Sequence, residues 1–113
     1  MAVIYHLVPK AEWESVKLAP EYRAASLESE GFIHCSKDEK QMLEVANRRF
    51  SGRRDMLVLD VDTELLKSAV KDERASSGGI YPHIYGPLNT SAIRMARPLM
   101  VDANGKFSIY QGN

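Results

Sequence analysis

The sequence holds a single cysteine, Cys35. No internal disulfide framework can therefore staple the chain, and this usage suits a reducing compartment. Charge of one sign is also missing: 15 lysines and arginines balance 15 aspartates and glutamates, for a formal net charge of zero. Proteins that grip a long phosphate backbone carry a basic excess, so extended nucleic acid is not an expected partner. No apolar run approaches the ~20 residues of a membrane-spanning helix. The opening "MAVIYHLVPK" lacks the basic region and apolar core of a secretion signal. The expectation is a cytoplasmic protein that keeps off membranes, as a monomer or weak homodimer.

What is present suits a compact fold. Hydrophobic residues make up 44% and charged residues 27% of 113 residues, close to globular proportions. A chain of this length buries roughly two-thirds of its unfolded surface around one core, and residues 1–113 read as a single domain without repeats or linkers.

"AVIYHLV" is β-branched and aromatic and stops at Pro9, which predicts a strand; "KAEWESVKLA", with Trp13, Val16 and Ala19 at helical spacing before Pro20, predicts a helix. "PEYRAASLESEG" reads as a loop or weak helical turn before the strand "FIHCS". Ser36, three residues before Glu39, has capping-box spacing for a helix over about Asp38 to Arg49, with Met42, Val45, Ala46 and Phe50 on one face. "MLVLDV", Met56 to Val61, reads as a central strand covered on both faces. A short helix capped by Asp62 or Thr63 is predicted through "ELLKSAV", then a break at "SSGG". The end, "AIRMARPLMVDANGKFSIY", predicts a strand, an Asn104-Gly105 turn and a returning strand.

All three histidines lie inside apolar stretches: His6 in "IYHLV", His34 in "FIHCS" and His83 in "YPHIYG". Alternation along a strand puts Phe32, His34 and Ser36 on one face and Ile33 and Cys35 on the other. Cys35 is then a packing residue; a catalytic thiol would need a base and an oxyanion site on its own side. Tyr81, His83 and Tyr85 share a face in the same way, and that aromatic row suits a flat ligand. Gly86 and Pro87 then offer a ligand close approach to the backbone. Each histidine alone reads as a half-buried residue bonded to a carbonyl. An unpaired buried ring nitrogen costs about 1–3 kcal/mol, so one shared polar pocket is simpler than three separate partner sets. Glu73 is the carboxylate expected to join them, with Asp72 and Asp60 as rivals. The basic cluster Arg48, Arg49, Arg53 and Arg54 reads as a solvated helix end, with a phosphate site as the alternative.

"IYH", Trp13, Tyr22, Ser26-Leu27, "GFIHCS", Gln41, Ala46-Asn47, Glu73 and "PHIYGPL" together resemble the bacterial family known as domain of unknown function 952. Tyr81 stands where that family usually has phenylalanine, and Cys35 where it has an apolar residue. More widely, His6 on a strand, then His34 with Ser36 before a helix, then "LVLDVD" is similar to the RNA 2'-phosphotransferase and ADP-ribosyltransferase superfamily. That resemblance implies an α+β fold: a mostly antiparallel split sheet with two or three helices, splayed around a nicotinamide dinucleotide cleft. It implies that His6 contacts the adenosine ribose or a phosphate, with His34 and Ser36 in the same cleft. Glu73 or His83 would take the place of the superfamily's late glutamate. The arginines that RNA 2'-phosphotransferases place around their motif histidine have no obvious counterpart in the sequence.

The candidates are thus His34, His83 and Glu73 for chemistry, and His6, Ser36, Tyr81, Tyr85, Ser26 and Tyr22 for ligand contact. The ligand expected is a small nucleotide-like molecule. NAD is the candidate substrate, and no cofactor is assigned. An enzyme that transfers or cleaves an ADP-ribosyl group and a binding module without turnover both fit these residues. A metal site is the third reading, although no two histidines show ligand spacing such as H-x-H.

Overall fold

The computed structural model describes residues 2–109. The chain runs β1 (Val3–Pro9), α1 (Lys10–Val16), β2 (Glu21–Tyr22), α2 (Ala25–Glu30), β3 (Ile33–His34), α3 (Glu39–Arg49), β4 (Met56–Asp62), β5 (Ala69–Arg74), β6 (Ile80–Tyr85), β7 (Leu88–Asn89), β8 (Ile93–Val101) and β9 (Phe107–Ile109), with a 3-10 turn, Thr90–Ala92, before β8. This is an α+β fold in which every strand pairing is antiparallel.

The apolar run Met56–Val61 forms the spine. β4 lies between β1 and β8 in a sheet of order β1-β4-β8-β9. Both its faces are covered: Leu59 and Val61 join a core with Ile4, Val8, Ile33 and Ile84, while Met56 and Val58 join a second core with Met42 and Ala46 of α3. Burying side chains on both faces removes the polar alternation from the sequence, as the near-continuous run predicts.

A second sheet, β3-β6-β5, meets the first at one seam. Tyr5 and Ser36 exchange backbone hydrogen bonds, N–H to O at 2.9 and 2.7 Å. "GFIHCS" therefore joins β6 on one side and β1 on the other. Gln41, buried on α3, fastens the seam: its Oε1 accepts from Lys37 N at 2.8 Å and its Nε2 donates to Ile80 O at 2.9 Å. Asn47 accepts from Phe107 N at 2.8 Å and so ties the same helix to β9.

Several expectations are corrected. The region through "ELLKSAV" contains no helix; Ala69–Arg74 is β5, the first strand of a hairpin with β6. Cross-strand pairing with β6 overrides local helix propensity there. Asp38, not Ser36, caps α3, its Oδ1 accepting from Gln41 N at 2.8 Å, because the backbone of Ser36 is held against Tyr5. α1 stops at Val16 rather than reaching Ala19. The strand in "FIHCS" is only Ile33–His34, extended by the bridge at Ser36. "SSGG" closes the hairpin, where Gly78 adopts φ +98°, and "ASLESE" forms the complete helix α2. The expected returning strand is present and begins at Phe107; its continuation to Tyr110 lies outside the described residues.

Candidate functional site

His34 and His83 are register partners in the antiparallel pairing of β3 with β6. Side chains of directly opposed residues lie on one face, so the pairing itself brings the rings together. Their centroids are 5.3 Å apart, edge to face at 83°. Phe32, two residues before His34, stacks on His83 at 4.0 Å and 14°. Ile33 and Cys35 point the other way and are buried in the core. Burial pushes the Cys35 thiol up, which makes it a packing residue and a poor nucleophile.

Each of these two imidazoles has a carboxylate behind it. Glu73 on β5 faces Tyr81, so its side chain reaches diagonally to the next residue on that face, His83. His83 Nδ1–H donates to Glu73 Oε1 at 2.7 Å, and Tyr85 O–H donates to the same oxygen at 2.5 Å. The bonds from Tyr85 and then His83 hold the Glu73 carboxyl below the usual carboxylate range. An ionised Glu73 fixes the His83 tautomer with hydrogen on Nδ1, leaving Nε2 to accept a proton. His34 Nε2–H donates to Glu30 Oε2 at 3.0 Å, and that contact chiefly lowers the Glu30 pKa. Glu30 was not expected. It ends α2, and Gly31, in the left-handed conformation at φ 90°, reverses the chain so that Glu30 and His34 meet.

His6 stands behind this pair. It is buried, on the inward face of β1, and its Nδ1–H donates to the His34 carbonyl at 2.6 Å. Its Nε2 lies 3.0 Å from Tyr22 Oη, and Tyr22 O–H reaches Glu12 Oε2 at 2.7 Å. Burial lowers the His6 pKa, and burial followed by the Glu12 contact raises that of Tyr22. Both His6 nitrogens thus have protein partners, so His6 and Tyr22 set the backbone position of His34. Of the three histidines, only His34 and His83 bring their rings together.

These residues border a cleft of about 540 Å³, within the range of small-molecule sites. His34, His83, Ser36, Tyr81, Ser26 and His6 all line it; Tyr85 and Glu73 support it from behind His83, and Tyr22 from behind His6. Ser26 donates to Phe32 O at 2.8 Å and so holds the stacking residue. Gly86 offers no approach to a ligand: it has φ +154°, and a Cβ there would lie 2.5 Å from Ser68 Oγ. Asp60 is engaged by Arg97 at 3.0 Å on the central sheet, and Asp72 does not line the cleft. Arg48 and Arg49, read from sequence as a solvated helix end, line the cleft together with Arg74. Arg53 instead pairs with Asp55. Among the described residues no group of three histidine, cysteine, aspartate or glutamate side chains is placed to hold a metal ion. None of the helices described is long and apolar enough to cross a membrane.

The chain is similar in structure to Protein CC0527 from Caulobacter crescentus. With its X-ray crystal structure it shares 32% identity and a TM-score of 0.82, covering 94% of this chain and 93% of that one. With its solution NMR structure the identity is 33% and the TM-score 0.80, covering 94% and 91%. No curated protein matches the chain. The family described as "Protein of unknown function (DUF952)" matches residues 7–96, and the chain belongs to that family.

Proposed function

We propose that the cleft binds NAD or a related ADP-ribosyl compound and that the protein transfers or cleaves the ADP-ribosyl group. One observation carries this reading: His83, held by Glu73 and stacked on Phe32, faces His34 in a cleft large enough for a small ligand. A flat nicotinamide or adenine ring fits the aromatic wall of Phe32 and Tyr81. The resemblance of His6, His34-Ser36 and "LVLDVD" to the ADP-ribosyltransferase superfamily points to the same ligand class.

In the proposed reaction the bond between ribose C1′ and the nicotinamide nitrogen breaks, and its electron pair leaves on that nitrogen. The oxygen of water or of an acceptor hydroxyl then bonds to C1′, and its proton passes to His83 Nε2. The Glu73 carboxylate stabilises the resulting imidazolium, and its negative charge also favours the oxocarbenium-like centre. Glu30 and His6 hold His34 in place, from its ring and its backbone respectively.

The test is incubation of the untagged protein with NAD, with nicotinamide followed by chromatography and binding followed by thermal shift. Release by native protein and its loss in His83→Ala supports the reading. Binding without release makes the protein a binding module, and neither binding nor release overturns the reading.

A further inference from the structure

The charge around the cleft is sorted in a way that the whole chain is not. The molecule carries no net charge, yet the charged side chains lining the cleft, its histidines aside, are Arg48, Arg49, Arg74 and a single acid, Glu30. That acid is occupied by His34 at 3.0 Å. Of the five arginines elsewhere, four are paired: Arg53 with Asp55, Arg23 with Glu21, Arg94 with Asp62, and Arg97 with Asp60 and Glu39. The guanidinium groups of Arg48 and Arg49 have no hydrogen-bond or ion-pair partner among the described residues, although, after His34, the Arg49 charge also lowers the Glu30 pKa. Their place in the last turn of α3 suits the negative end of the helix dipole. That explains arginine on the helix, but not the presence of Arg74, from a different element, in the same lining.

Arg74 ends β5 and donates from Nη1 to Gly78 O at 3.2 Å, which fixes the hairpin turn beside the cleft. The same turn brings Ser76 to the lining. Guanidinium groups present paired donors that match phosphate oxygens. We infer that Arg48 and Arg49 from α3 and Arg74 from the β5–β6 turn form a phosphate subsite, suited to the diphosphate of the ligand. The inference deepens the proposed function and rests on the same cleft. Phosphates on the arginines leave the rest of the ligand to the aromatic and imidazole wall.

The test uses inorganic pyrophosphate, which has no ribose to transfer, titrated calorimetrically into native protein at low and physiological salt. The expected result is binding that weakens with salt, is about tenfold or more weaker in Arg49→Gln and Arg74→Gln, and is unchanged in Arg53→Gln. Arg48, Arg49 and Arg74 are exposed, and circular dichroism on each variant confirms the fold. Equal binding by native protein and the Arg48→Gln/Arg49→Gln/Arg74→Gln variant, or no binding to native protein at millimolar pyrophosphate, overturns the inference. Arginine-dependent pyrophosphate binding without nicotinamide release from NAD keeps the subsite and removes the transfer reading. Nicotinamide release unaffected by the arginine changes does the reverse.

Discussion

His34 and His83 are paired across two antiparallel strands, with ring centroids 5.3 Å apart. Neither ring depends on a loop for its position: one is set by β3 and the other by β6. Glu73 then reaches His83 from the next strand, so strands from three parts of the chain build the centre.

Replacing Glu73 by glutamine keeps an acceptor near His83 Nδ1 and removes the charge. On the proposed mechanism, nicotinamide release falls about 100-fold while the circular dichroism spectrum stays native. Undiminished release assigns Glu73 a purely structural part.

The pH dependence of stability is set in part by His6. Its folded pKa lies below the ordinary value of 6.5 because burial disfavours the imidazolium. The unfolded chain therefore takes up the proton first as pH falls. The stability that His6 contributes is complete above about 6.5 and is lost as pH drops toward its folded value. Thermal melts between pH 7 and 5 should show a falling midpoint in native protein and a smaller fall in His6→Asn.

Phe32→Leu removes the ring stacked 4.0 Å from His83. A loss of about 1 kcal/mol is expected in denaturant melts, with a shift of the His83 ring resonances in NMR spectra. Unchanged resonances would mean that the stack does not hold the imidazole.

Gly86→Ala places a methyl group against Ser68 Oγ, whose own hydrogen bond to Pro87 O is 2.7 Å long. The positive φ of Gly86 adds strain, and the expected cost is about 1–3 kcal/mol. Ser68→Gly should recover part of it in the double variant, leaving the backbone contribution.

Cys35 is buried and its thiol pKa is raised by burial. A thiol reagent at neutral pH should label it only after unfolding. Rapid labelling of the folded protein contradicts the packing role.

Much of this fold follows from patterns that lie within a few residues of one another. The alternation in "FIHCS" correctly separates Ile33 and Cys35 from His34, and the spacing of Met42 and Ala46 correctly predicts α3. The failures arise where distant segments decide. Ser36 has the spacing of a helix cap, but its backbone is bound to Tyr5, far earlier in the chain, and Asp38 takes the part. "ELLKSAV" has helical residues, yet β6 recruits its end as a strand. Glu73 was legible beside His83 because a hairpin joins them over a short loop. Glu30 could have been found from the "EGFIH" stretch, where a glycine stop folds a carboxylate back toward the histidine four residues on. The Glu12 contact with Tyr22, and the lining of one cleft by Arg74 together with Arg48 and Arg49, leave no local pattern, since each depends on how separate elements pack.

The most direct measurement of the central claim is nicotinamide release from NAD by native protein, His83→Ala and His34→Ala at matched concentration. The account predicts release by native protein and its loss in both variants, each still folded. Equal release from all three, or none from a native protein that also fails to bind NAD, would contradict it.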